Sequence, residues 1–125
     1  MDASEHSHPV EVPLKDPSEI SQVFDKITYC KGASVIYMLH QFIGPDHFRN
    51  GIRDYIQNFS YGNADTEDLW QCMTKASGIE VGNLMNSWIR EMGFPVIKIS
   101  ALRGPEEDIN NGKVILKLSQ QRFSG

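Results

Sequence analysis

Between Ile20 and Ile89 apolar residues recur three and four positions apart, and beyond Gly93 they alternate. That change of period predicts a run of helices followed by strands. "DPSEISQVFDK" opens the first helix, with Asp16 as N-cap, Pro17 at the first helical position and Glu19 three residues on to complete a capping box. Ile20, Val23, Phe24 and Ile27 form its apolar face. The second helix, from about Tyr29 to Ile43, presents Ala33, Ile36, Leu39 and Ile43, flanked by Val35 and Phe42, and ends at Gly44-Pro45. A third, roughly 45–59, carries Phe48, Ile52, Tyr55, Ile56 and Phe59. A fourth starts at Asp65 or Thr66 with acidic residues where the helix dipole favours them, carries Leu69, Trp70 and Met73, and stops near Gly78. The fifth, about 81–92, presents Leu84, Met85, Trp88 and Ile89, with Gly93 as its C-cap.

"FPVIKIS" and "KVILKLSQQRF" are β-branched and alternating, and the polar "RGPEEDINNG" between them carries turn residues. The fold class is therefore mainly α, with about five helices followed by a β-hairpin. The one candidate boundary is the change of period at Gly93–Pro95. It divides the chain into 1–93 and 94–125. Two strands alone are marginal in water, so we expect the fold to continue past this hairpin. Ahead of the first helix, Pro9, Pro13 and Pro17 predict an extended or loop segment.

At 125 residues the chain suffices for one modest core. Its 40% hydrophobic and 22% charged content is that of a globular domain. A net charge of −4 argues against nucleic acid or an anionic membrane as partner. No apolar run is long enough to span a bilayer, and the acidic N-terminal stretch does not resemble a secretory signal. The cytoplasm is the expected location. Cys30 and Cys72 have no metal-type spacing, and both read as small buried thiols.

Local chemistry is sparse. His6-x-His8 lacks a nearby ligand to complete a metal site. His40 and His47 read as surface residues near a helix junction. There is no His-Glu-x-x-His, no Gly-x-Ser-x-Gly and no phosphate loop. Trp70 and Trp88 sit on apolar faces and read as core. From residue types alone, Tyr29 is a structural aromatic with its hydroxyl tied to backbone or water.

Five motifs taken in order add to this reading: "SHPVEVP", "FDKITYCKGASVIYML", "YGNADTEDLW", "MNSWIREMGFPVIKIS" and "LSQQRF". From Ser7 to Phe123 the chain resembles the zinc aminopeptidases of the puromycin-sensitive and aminopeptidase N type, with the cytosolic branch closer than the membrane-anchored one. The resemblance implies that residues 1–93 are the C-terminal helical part of a thermolysin-like catalytic domain, and 94–125 the first strands of a β-sandwich. It aligns Tyr29 with the tyrosine whose hydroxyl faces the tetrahedral intermediate of peptide hydrolysis. A phenol suits that role, because its usual pKa of about 10 keeps the proton in place at neutral pH. Phe24 matches a phenylalanine near the active-site wall, a place for substrate binding or simply for core packing. Lys31 and Gly32 match structural positions, Gly32 allowing close approach of a neighbour. His8 receives no catalytic role, and His6-Ser7 stands where the family usually has two serines.

The family's zinc motif and its amine-gripping Gly-x-Met-Glu-Asn are both absent from these residues. The expectation is a fragment of a zinc aminopeptidase that contributes Tyr29, binds no zinc by itself and is inactive alone. Its partners would be peptide substrates in the parent enzyme and the rest of that chain. The rival reading is a truncated, non-catalytic helical module that associates through exposed apolar helix faces.

Overall fold

The computed structural model describes residues 7–13, 15–19, 25–102, 111–112 and 114–123. Among the described residues, a 3-10 turn at Pro17–Glu19 and a π-helical turn at Ile27–Lys31 precede four α-helices: α1 Gly32–Ile43, α2 Pro45–Phe59, α3 Thr66–Ser77 and α4 Val81–Arg90. Strands β1, Pro95–Leu102, and β2, Ile115–Arg122, pair antiparallel with Ile99 opposite Leu118. The chain is mainly helical and ends in a hairpin, as its pattern predicts.

The core lies between α1, α3 and α4. Val35, Leu39 and Ile43 of α1 meet Trp70 and Met73 of α3 and Val81, Met85 and Ile89 of α4. Leu39, Met73, Val81 and Met85 are fully buried, each stabilising the fold by roughly 1.5–3 kcal/mol. Phe48, Ile52 and Trp88 pack around them, half-buried. The buried face of α1 is a narrow stripe at four-residue spacing. Ala33 and Ile36, expected on that face, and Phe42, expected beside it, are exposed, while Val35 lies within the stripe. On α2, Ile56 is likewise exposed, and the fully buried position is Gly51.

Gly51 explains how α2 approaches α3. A Cβ there would stand 2.5 Å from Met73 Sδ and 3.2 Å from Met73 Cα, so no larger residue fits without displacement. Gly44, at φ +88°, takes the left-handed backbone that ends α1 and lets Pro45 begin α2 immediately. The reciprocal capping box belongs to α3. The Asp68 N–H donates to Asp65 Oδ1 at 3.0 Å, and the Asp65 N–H to Asp68 Oδ2 at 2.9 Å.

Of the chain's first predicted helix, residues 20–24 lie outside the described residues and only its two ends are described. Around Asp16 the described residues form a single 3-10 turn, in which Asp16 Oδ1 accepts the Ser18 N–H at 2.8 Å. Glu19 reaches the N–H of Lys15, one residue ahead of the expected cap. Ile20, Val23 and Phe24 lie outside the described residues. At the other end, α4 stops at Arg90 because Glu91 is extended, although Gly93 does take a left-handed φ of +79°.

The segment at 7–13 is neither helix nor strand, bends at Val10 and Glu11, and runs against α4. Glu11 N–H donates to Ile89 O at 2.8 Å, and Val10 packs on the core. Arg90 lies 2.8 Å from Glu67 Oε1 and 3.9 Å from Glu11 Oε2, joining this segment to α3 and α4. Cys72 is buried, and loss of hydration raises its thiol pKa, with the Asp54 charge next. Cys30, expected to be buried too, is exposed, because it sits on the outer side of the π turn. Neither cysteine is in a disulfide.

Candidate functional site

Tyr29 stands in the middle of the π turn that leads into α1. Its side chain is 65% exposed, so the ring is not the core aromatic that residue type alone suggested. A wider turn of this kind is uncommon and is held by fewer well-aligned backbone bonds than an α-helix. Here its ends are tied down by side chains.

At the N-terminal end, Asp25 Oδ1 accepts the N–H groups of Ile27 at 2.9 Å and Thr28 at 3.1 Å. The Tyr29 N–H donates to the Asp25 carbonyl at 3.1 Å. Two orphan donors at the start of this helix are thereby satisfied by the Asp25 side chain, while its carbonyl accepts the first backbone bond of the helix. The other carboxylate oxygen, Oδ2, lies 2.6 Å from His8 Nε2, and His8 Nδ1 lies 2.7 Å from the Pro9 carbonyl. Asp25's carboxyl is held below its usual range, first by the His8 hydrogen bond and then by the Thr28 N–H.

At the C-terminal end, Lys31 Nζ donates to the carbonyls of Glu91, at 3.0 Å, and Gly93, at 2.7 Å. The turn is thus fastened to the corner where α4 gives way to β1. Lys31 is structural, as expected, and its partners explain how. Gly32 is not a site of forced approach. A Cβ there would meet Val10 Cγ1 at 3.6 Å, an ordinary contact.

Phe24 lies outside the described residues, as does His6. His40 is half-buried at the junction of α1 and α2, edge-on to Phe48 at 5.0 Å, and His47 is exposed. Among the described residues no three His, Cys, Asp or Glu side chains converge as a metal site. Sequence reasoning missed Asp25 and the part played by His8. An Asp just before a helix is a recognisable cap signal, whereas its pairing with His8, 17 residues earlier, has no spacing signature.

Residues 1–88 match the model of the Peptidase family M1 domain. The chain belongs to peptidase family M1. Among M1 relatives it is 44% identical, over 98% of its length, to "Aminopeptidase 2, mitochondrial" of Saccharomyces cerevisiae. It is 42% identical over the same share to the "Puromycin-sensitive aminopeptidase" of Caenorhabditis elegans. It is 44% identical, again over 98%, to the "Tricorn protease-interacting factor F2" of Thermoplasma volcanium. The chain spans 12%, 12% and 14% of those three proteins. The M1 match runs through the 7–13 segment, the π turn and α1 to α3, and ends within α4.

Proposed function

We propose that this chain serves in a zinc aminopeptidase that removes N-terminal residues from peptides, and that Tyr29 is its contribution to the chemistry. Family membership carries the reading, and an exposed phenol on a turn tied at both ends supports it. Residues 1–93 would be the C-terminal helical part of the catalytic domain, and 94–125 the first strands of a β-sandwich. No helix among the described residues is long and apolar enough to cross a membrane, and the cytoplasm is the location we infer.

The described residues do not fit a zinc ion, so in this reading its ligands come from other parts of a full-length enzyme. There the metal would supply activation of the water that attacks the peptide carbonyl. What Tyr29 does is separate. As the carbonyl carbon becomes tetrahedral, negative charge grows on its oxygen, and a phenol O–H aimed at that oxygen stabilises it more than the ground state.

Removing one such donor costs roughly 3–4 kcal/mol, about 10² to 10³ in rate. Tyr29→Phe in the full-length enzyme should therefore lower kcat by about that factor and leave KM nearly unchanged. An unchanged kcat would remove the donor role. The 125-residue chain, assayed with zinc and an aminoacyl reporter, should give background rates, and chelator-sensitive turnover by it would overturn the reading of an incomplete catalytic unit.

The non-catalytic alternative draws on one observation. On α1 and α2, Ile36, Tyr37, Phe42 and Ile56 are exposed. A discrete oligomer that persists through a dilution series would favour an interaction module over a piece of an enzyme.

A further inference from the structure

We propose that His8 and Asp25 form a clasp that positions Tyr29, with His8 acting on the catalytic turn through Asp25. For its catalytic consequence the proposal rests on the reading of Tyr29 as donor. The clasp itself rests on hydrogen-bond geometry alone.

The Pro9 carbonyl can only accept, so His8 Nδ1 must carry a proton to bond it at 2.7 Å. Asp25 already accepts two backbone N–H groups on Oδ1, which favours its carboxylate form. A carboxylate also only accepts, so Nε2 must carry a proton as well to bond Oδ2 at 2.6 Å. Both ring nitrogens are then donors, and His8 is an imidazolium facing an aspartate. The pair is partly shielded, with side-chain exposures of 24% and 41%. Among the described residues, the other charged side chains of the 7–13 segment and of the turn are engaged or exposed. Glu11 faces Arg90, Lys31 is bound to the carbonyls of Glu91 and Gly93, and Lys26 is exposed.

This arrangement fixes more than one contact. Without His8, Asp25 Oδ2 is open to water and the side chain can rotate away from the two N–H groups that begin the turn. With His8, the rotamer of Asp25 is set, and with it the backbone of Ile27 and Thr28 immediately before Tyr29. His8 is itself anchored, because Glu11, three residues on, is hydrogen-bonded to Ile89. The turn is therefore held to the end of α4 twice: through His8 and Asp25 on one side, and through Lys31 on the other.

Three substitutions separate the clasp from the cap. His8→Ala removes the clasp. Asp25→Ser keeps a capping oxygen for the turn and is too short to reach His8. Asp25→Asn keeps the cap and can donate to a neutral His8, restoring the link without charge. In the 125-residue chain, NMR should show amide exchange at Ile27 and Thr28 rising about 10-fold or more in His8→Ala and Asp25→Ser, together with shifted Tyr29 ring resonances. Leu39 and Met73 amides should not change, and Asp25→Asn should resemble the parent. In the full-length enzyme, kcat should fall about 10-fold in the two loss variants with KM within about 2-fold, since a small misplacement of a catalytic group is costly. The combined His8→Ala, Asp25→Ser variant should be no worse than either alone.

Unchanged Tyr29 resonances and exchange in both loss variants would overturn the clasp. So would a loss in Asp25→Asn equal to that in Asp25→Ser. If His8→Ala loosens the core amides as well, Asp25→Ser and Asp25→Asn decide between the same two outcomes. Failure of the donor reading looks different: Tyr29→Phe would then leave kcat intact while the exchange measurements still judge the clasp. A damaging Tyr29→Phe beside harmless clasp variants would sink the clasp and keep the donor.

Discussion

The helical body and the hairpin are built from similar proportions of apolar residues, yet only one of them has an interior. In the body, α1, α3 and α4 bury Leu39, Met73, Val81 and Met85 completely. In the hairpin, every residue of β2 is exposed, including Leu116 and Leu118. Its shape comes from the backbone ladder and, at the base, from Phe94 and Phe123, whose rings stack at 5.2 Å while the Phe123 N–H bonds the Phe94 carbonyl. Apolar content by itself therefore does not produce a core. Three helices enclose a volume, and a two-stranded ribbon does not.

The largest effect should come from truncating the interior. Leu39→Ala or Met85→Ala should destabilise by about 2–5 kcal/mol in denaturant unfolding, whereas Ile99→Ala or Leu118→Ala should stay within about 0.5 kcal/mol. Equal costs in the two regions would break the contrast. A pair of glycines sharpens it next. Gly51→Ala should cost about 1–3 kcal/mol, because its Cβ meets Met73 at 2.5 Å. Gly32→Ala, with only the 3.6 Å contact to Val10, should be neutral or stabilising by up to about 1 kcal/mol. Asp65→Ala should follow at about 1 kcal/mol through loss of the α3 cap.

The smallest effect is local and depends on acid. Asp25's folded-state carboxyl titrates below its unfolded value, so its contribution is fully present above about pH 4 and is lost as pH falls through the depressed value. Ile27 and Thr28 amide shifts should move in that acid range in an NMR titration, and those of Ile99 and Leu118 should not. Movement of all four together would mean that acid loosens the chain globally.

Punctuation made most of the fold legible. Pro45 after Gly44, and Asp65 before an acidic first turn, mark α2 and α3 to the residue or nearly so. The face of α1 was harder to read, because Val35, Ile36, Leu39, Phe42 and Ile43 share one broad arc of about a third of the helix, and periodicity cannot choose the buried stripe within it. Packing against α3 and α4 makes that choice. Tyr29 became a candidate only through its family motif, since a tyrosine heading an apolar helix looks structural by type. Its supports were not legible. The Lys31 contacts with Glu91 and Gly93, and the His8 contact with Asp25, join residues that only the folded chain brings together.

Those supports also set an order of assembly. The His8–Asp25 contact closes a loop of 17 residues, whereas Lys31 must find carbonyls 60 and 62 residues away. Loop-closure entropy makes the longer search about 1 kcal/mol more costly, and its target exists only after α4 has docked. Helices α1, α2 and α3 can associate before that through nearer neighbours. The turn bearing Tyr29 is accordingly half-fastened early and completed late, so refolding monitored at Lys31 should trail refolding monitored at the contact of Gly51 with Met73 between α2 and α3.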